Sequence, residues 1–161
     1  MSEYTLPVVM HPIVDRGCAG CTLCCSLLGV AELDKPPLVA CTHCTVADGC
    51  RIYSQRPTEC RQFHCGYLLH PALDKRWHPS RARLIVAFDE YPYAVAVHVD
   101  PASPDAWRQE PYFSQIQRWS WAAARARRQV VIWQGQRKII MPPPPARPAA
   151  RVAPAPPAGG D

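Results

Sequence analysis

The chain lacks any long hydrophobic run, and its first residues lack the cations of a secretory signal. No apolar stretch approaches the roughly 18 residues that a membrane helix needs. Glu3 stands where a signal would carry Lys or Arg, and Pro7 and Pro12 interrupt the apolar residues around it. These absences predict a cytoplasmic protein without a membrane partner.

The sequence also lacks the short motifs of the common enzyme classes. It contains no G-x-S-x-G, no P-loop, no G-x-G-x-x-G and no H-E-x-x-H. Acidic neighbours such as Asp89 and Glu90 lie beside a proline, a context typical of turns rather than of acid–base catalysis. The motifs therefore identify no catalytic residue, and whether the protein is an enzyme stays open at this point.

Cysteine is the residue that the sequence has in excess, and its distribution is uneven. All nine cysteines of the 161 residues lie between Cys18 and Cys65. In a reducing cytoplasm stable disulfides are rare, and an odd count disfavours a complete disulfide framework. A single buried cysteine is usually a small hydrophobic residue, but a cluster of this density indicates metal binding. Metal ions are therefore the expected partners, and the length fits one domain.

The first four cysteines follow the pattern CxxCxxCC. Cys18, Cys21 and Cys24 are each separated by two residues, a spacing that resembles runs used for iron–sulfur clusters. Cys25 follows directly, and because the side chains of neighbouring residues diverge, Cys24 and Cys25 are expected to serve different centres. The segment therefore favours more than one metal centre.

The later cysteines keep zinc open as the metal. Cys41 and Cys44 form the two-residue knuckle typical of zinc sites. His43 and His64 each adjoin a cysteine and are weaker candidates for imidazole ligands. Zinc, iron and an iron–sulfur cluster are thus all compatible with the cysteine segment.

The charge balance does not favour nucleic acid as a partner. The formal net charge is +5, from 18 Lys and Arg against 13 Asp and Glu. Two four-thiolate centres of about −2 each would reduce it to about +1. A zinc-finger-like interaction module that uses Arg125, Arg127 and Arg128 is nevertheless a further alternative.

The rest of the chain predicts an α+β fold. Residues 83–88 and 93–99 are rich in strand-forming residues and are separated by a turn, which predicts an antiparallel pair. Apolar residues at 112, 116, 119 and 123 predict an amphipathic helix, and residues 130–133 and 137–141 predict a hairpin around Gly135. We expect a single domain over residues 1–141, in which a metal-organised cysteine segment (18–65) packs on a small antiparallel sheet with one main helix (81–141). Residues 142–161 are rich in Pro and Ala and predict a disordered tail.

The sequence motifs around the cysteines resemble those of a known family. CxxCxxCC at residues 18–25 is followed by ELDKP at 32–36, by Cys41 with His43, and by GCRIYSQRPTECRQFHC at 49–65. This order is similar to that of the CxxCxxCC cysteine-cluster family, the YkgJ-like zinc- or iron-chelating proteins. The match covers residues 18–65 closely and the remainder more loosely.

The resemblance implies a set of eight metal-binding thiolates. Cys44 is not among them, because the family usually has an apolar residue at that position, so Cys44 is either an extra ligand or a spare thiol. A similar pattern occurs in bacterial flagellin lysine methylases, where it is linked to an iron–sulfur cluster, so an iron–sulfur-dependent enzyme or enzyme component in methyl or electron transfer is an alternative function. The implied ligands are Cys18, Cys21, Cys24, Cys25, Cys41, Cys50, Cys60 and Cys65.

Three residues near the last cysteines have expected supporting roles. Pro57 suits the start of a short helix that would place Cys60 about one turn in. Arg56 and Arg61 are candidates to donate hydrogen bonds to thiolate sulfurs and to offset their charge.

Overall fold

The N-terminal half of the protein consists of short elements joined by turns. The computed structural model describes residues 11–18 and 20–145, so most of the predicted tail, residues 146–161, lies outside the described residues. Isolated helices of five residues or fewer are not stable in water, so contacts with the rest of the protein must hold these elements. They are α1 (Leu23–Leu27), β1 (Cys44–Thr45), β2 (Gly49–Cys50), α2 (Thr58–Gln62), α3 (Gly66–Leu69) and α4 (Pro79–Ala82).

The C-terminal half forms a four-stranded sheet with one long helix. The elements are β3 (Leu84–Phe88), β4 (Val95–Val99), α5 (Tyr112–Arg125), β5 (Val130–Gln134) and β6 (Arg137–Met141). The strand order is β3-β4-β5-β6. The predicted α+β class, strand pair, helix and hairpin are confirmed. The sheet is mixed, because β4 and β5 are parallel while the other two pairs are antiparallel. The connection through α5 returns the chain to the end of the sheet where β4 begins, as a parallel pair requires.

One face of the sheet packs against α5. Val95, Val97 and Val99 of β4 lie in the same core cluster as Ile116 and Trp119 of the helix. The four apolar helix positions predicted from the spacing, 112, 116, 119 and 123, are all buried. The helical periodicity therefore correctly predicted which side of α5 packs against the sheet.

The cysteine segment covers the opposite face. Ile85 packs with Leu23 and Leu27 of α1, and Phe63 packs against Ala87 and its neighbours on that face. Both faces of β3 are thus covered, which accounts for its continuous apolar run LIVAF. The prediction that the cysteine segment packs on the sheet is confirmed. None of the described helices is long and apolar enough to cross a membrane.

Hydrogen bonds to backbone carbonyls join the start of the described chain to α3 and the residue after it. The Ile13 amide donates to the Leu68 carbonyl at 2.8 Å. The Arg16 guanidinium donates to the carbonyls of Tyr67 at 2.5 Å and His70 at 3.0 Å. These bonds fix α3 beside the first cysteines, since Arg16 is two residues from Cys18.

Gly66 in α3 provides a test of the packing against β3. A Cβ at this position would lie 2.8 Å from Phe88 Cε2 and 3.0 Å from Val86 Cβ. We expect Gly66→Ala to destabilise the protein by about 1–3 kcal/mol, because the strand would have to move. Urea unfolding followed by circular dichroism measures this. Ala124→Ser on the exposed side of α5 is the control and should change stability by about 0.5 kcal/mol or less; an equally small effect of Gly66→Ala would contradict the close packing.

Candidate metal centre

Eight of the nine cysteines line one cavity of about 970 Å³. The members of this set come from several turns and short elements of the segment before β3, so the fold brings together residues that are up to 47 positions apart, from 18 to 65. Cys44 is the cysteine that does not line the cavity. The lining cysteines are Cys18, Cys21, Cys24, Cys25, Cys41, Cys50, Cys60 and Cys65.

The short elements present the thiols from several directions. Gly20, with φ of +73°, makes the turn between Cys18 and Cys21 in a backbone region that suits glycine. Cys24 and Cys25 occupy successive positions of α1, about 100° apart around its axis. The Cys41 amide donates to the Cys25 carbonyl at 2.9 Å, which brings the loop after residue 30 back to α1.

The remaining thiols come from the hairpin and from the two helices that follow it. Cys50 lies on β2, Cys60 lies in α2 and Cys65 directly precedes α3. Pro57 directly precedes α2, so the predicted helix start is confirmed. These three thiols are therefore fixed by the backbone of three different elements.

Lys35 lines the cavity and was not predicted from the sequence. An isolated bridge pairs it with Val30, and its side chain is buried with the ammonium donating to the Leu28 carbonyl. Burial lowers the pKa of Lys35, while Cys41 and Cys25 oppose this shift. The ELDKP motif contains this lysine, but only the fold shows that its charge faces thiols.

Arg56 and Tyr53 lie beside Cys18 at another part of the cavity wall. Burial raises the pKa of the Cys18 thiol, and Arg56 and the Tyr53 hydroxyl oppose the increase. The Arg56 guanidinium lies 3.7 Å from the centre of the Tyr53 ring. Arg56 is thus placed to offset charge on Cys18, as predicted, but its Nε donates a hydrogen bond to the Tyr53 carbonyl at 3.0 Å and not to a sulfur. Arg61 is exposed and donates to Thr58 Oγ1 at 3.3 Å instead.

Glu59 is a second lining residue that sequence reasoning missed. Its carboxylate accepts the Ala31 amide at 2.7 Å, and the Glu32 carboxylate accepts the Glu59 amide at 2.9 Å. This reciprocal pair joins α2 to the turn of residues 31–33. Because Cys60 follows Glu59 directly, the pair also fixes the position of the Cys60 thiol.

The crowding of the thiols favours their protonated forms. Burial raises the pKa of Cys21 and Cys60, and it raises the pKa of Cys65 to about 11. For Cys25, a hydrogen bond with the Cys24 thiol raises the pKa, and burial adds to the effect. For Cys44, burial and the nearby Cys25 raise the pKa to about 12. Without a cation, these five thiols therefore stay protonated near neutral pH.

The two histidine candidates do not join this set. His43 and His64 do not line the cavity, and His64 Nδ1 lies 3.0 Å from the Gln62 carbonyl oxygen. Within residues 11–18 and 20–145, no three His, Cys, Asp or Glu side chains form a ready-made coordination sphere. The thiols are gathered in one cavity, but metal binding would require them to deprotonate and turn.

The donor set nevertheless fits a thiophilic metal. Thiolates are the ligands of structural zinc and of iron–sulfur clusters, and eight of them around one cavity match two four-thiolate centres in number. Comparison of the chain with family models, curated proteins and solved structures found no match. The resemblance to the CxxCxxCC family therefore depends on the motifs of residues 18–65.

The raised thiol pKa values predict how the stability of the metal-free protein depends on pH. From an ordinary value of 9.0, the pKa rises to about 11 for Cys65 and about 12 for Cys44. Above pH 9.0 the folded chain therefore binds more protons than the unfolded chain, so stability falls as pH rises. The lowered pKa of Lys35 opposes this trend, but six thiols shift in the other direction.

Urea unfolding of reduced, metal-free protein at about pH 8 and about pH 10 measures this dependence. We expect a lower midpoint at the higher pH. Metal affinity should change in the opposite direction and increase with pH, because ligand thiols release protons on binding. A midpoint of the metal-free protein that rises with pH would contradict the assignment of crowded, protonated thiols.

Proposed function

We propose that this is a cytoplasmic metal-binding protein that holds zinc or iron through eight thiolates. The observation that carries the proposal is that the eight cysteines lining one cavity are the eight that the family resemblance implies, with Cys44 excluded by both. The sequence motif and the lining of the cavity thus indicate the same eight residues.

The electrostatic neighbours of each thiol suggest a division into two centres. The charges of Cys18 and Cys21 act on Cys65, and Cys24 packs in the same apolar cluster as Cys21 and Cys65. We assign these residues to the first centre, which consists of Cys18, Cys21, Cys24 and Cys65.

The other four thiols form the second centre in this proposal. The charges of Cys25, Cys41 and Cys50 act on Cys60. Cys25 also acts on Cys18 and Cys21, so the two centres are adjacent. Cys24 and Cys25 follow each other in α1 and their thiols are hydrogen-bonded to each other, in contrast to the divergence expected from the sequence, so this pair lies where the two proposed centres meet. The second centre consists of Cys25, Cys41, Cys50 and Cys60.

Two cations support anionic thiolate centres in the cavity. Arg56 favours the thiolate form of Cys18 in the first centre. Lys35 faces Cys41 and Cys25 of the second centre. A four-thiolate site with a divalent ion carries about −2, and a nearby cation reduces the cost of burying that charge.

The metal decides which chemistry is available. Zinc would join the short elements of residues 18–65 and stabilise their fold, whereas an iron–sulfur cluster would supply electron transfer. The second possibility supports an iron–sulfur-dependent enzyme or enzyme component in methyl or electron transfer as the alternative function. The interaction module has less support, since Arg125 lies over the Trp121 ring and Arg128 pairs with Asp89.

Metal content of single variants tests the proposal and its two centres. We expect Cys21→Ser to lose about one metal centre per chain and Cys60→Ser to lose the other, because each removes one of four ligands. Cys21→Ser should also destabilise the N-terminal half. The matched control is Cys44→Ser, which removes a thiol outside the cavity and should leave the metal content nearly unchanged.

The measurement is elemental analysis with native mass spectrometry and a visible spectrum on protein purified without oxygen. Brown protein with iron and sulfide would indicate iron–sulfur clusters, and colourless protein with about two zinc ions per chain would indicate zinc. Equal metal loss from Cys44→Ser and Cys21→Ser would show that the ligand assignment is wrong. Protein that binds neither metal in the reduced state would refute the proposed function.

A further inference from the structure

Cys44 and Cys50 are directly opposite each other in the hairpin of β1 and β2. The Arg51 amide donates to the His43 carbonyl at 2.8 Å, and the Cys44 amide donates to Cys41 rather than across the hairpin. In an antiparallel ladder this makes Cys44 and Cys50 a non-hydrogen-bonded pair, the kind whose side chains approach most closely.

The backbone at this pair suits a disulfide. The Cα atoms of a non-hydrogen-bonded antiparallel pair lie about 4.5 Å apart, within the range of about 4.4–6.8 Å that a disulfide bridges. The register of the hairpin also places both side chains on the same face. A bond between these two sulfurs therefore needs rotation of side chains but no change in the strand pairing.

The surroundings of Cys44 give small oxidants a route to the pair. Cys44 is half-buried, and it precedes an exposed loop in which Val46 is 93% exposed. The loop is closed by a hydrogen bond from Thr45 Oγ1 to Asp48 at 2.9 Å, so the hairpin keeps its register while its tip faces solvent. Cys50, by contrast, lines the thiol cavity.

We propose that Cys44 and Cys50 are the site of a reversible disulfide that forms on reaction with hydrogen peroxide and withdraws Cys50 from the second centre. The inference rests on the proposed function for the metal-release step, but not for the disulfide itself. It gives the ninth cysteine, which the cavity does not use, a role in regulating the site.

The chemistry balances with one peroxide molecule for each disulfide. The Cys50 thiolate attacks the peroxide O–O bond, which gives a sulfenic acid and releases hydroxide that becomes water. The Cys44 sulfur then attacks the sulfenic sulfur, the S–S bond forms and the second water leaves. Two thiols are oxidised and one peroxide is reduced to two waters, and a dithiol reductant reverses the reaction.

The disulfide should remove metal from only one of the two proposed centres. Loss of Cys50 leaves the second centre with three thiolates, whereas the first centre keeps Cys18, Cys21, Cys24 and Cys65. Peroxide should therefore release about one zinc ion per chain and leave about one bound. The first centre and the sheet would hold the rest of the protein in its folded form.

The experiment treats the full, zinc-loaded chain with an equimolar amount of hydrogen peroxide. Released zinc is measured with a colorimetric chelator, and free thiols are then blocked. Asp48 lies between the two cysteines and Arg51 follows Cys50, so cleavage before aspartate and after arginine yields peptides 34–47 and 48–51. We expect mass spectrometry to find these two peptides linked, with fragment ions that place the bond at Cys44 and leave Cys41, the other cysteine of peptide 34–47, blocked as a free thiol. A dithiol reductant should separate the peptides and allow zinc to rebind.

Cys44→Ser and Cys44→Ala are the variants for this test, the second being available should the first fold poorly. Both should retain two zinc ions, form no link from peptide 48–51 and release several-fold less zinc with equimolar peroxide. The Cys44 thiol also contacts the Cys25 thiol. Equal release from wild type and these variants, or a disulfide from Cys44 or Cys50 to any other cysteine, would therefore overturn the inference. The same peptide mapping on metal-free protein separates the two proposals. If the protein binds no zinc under any condition but the two peptides are linked after peroxide treatment, the disulfide is supported and the metal site is refuted.

Discussion

The packing of eight thiols into one cavity is the constraint on which the N-terminal half depends. Burial disfavours the ionised thiols and the neighbouring cysteines add to this effect, so the pKa values of Cys21, Cys60 and Cys65 are raised. In the proposed function, a thiophilic cation would remove this cost and would cross-link elements of five residues or fewer. The same cysteine side chains would therefore determine both the fold of this half and the chemistry of the cavity.

The sheet supplies an apolar surface on which the cysteine segment packs. Ile85, the second residue of β3, forms a buried cluster with Leu23 and Leu27, and Cys21, Cys24 and Cys65 pack against this cluster. This apolar cluster thus positions three cysteines of the proposed first centre without any metal. The second centre depends more on the hairpin and on the contact between Glu59 and Ala31, so we expect its geometry to respond more readily to changes at the surface.

Local periodicity was sufficient to predict β3, β4, α5 and the final hairpin, because their apolar residues recur at the spacing of the element that buries them. It could not predict the parallel pairing of β4 with β5, which depends on the path of the whole connection through α5. The set of eight candidate cysteine ligands follows from the resemblance of residues 18–65 to the CxxCxxCC family. The positions of Lys35 and Glu59 do not follow from the sequence. Only the return of the loop through Val30 brings Lys35 to the thiols, and only the fold brings Glu59 of α2 to the Ala31 amide.

The second face of the sheet has a further consequence for the life of the protein in a cell. Ala96 and Val131 on that face have no exposed surface while the cysteine segment covers it. If loss of both metals released the segment, this apolar face would meet water and become a target for proteases and chaperones. The abundance of the folded protein would then follow the supply of metal, independently of how strongly its gene is expressed.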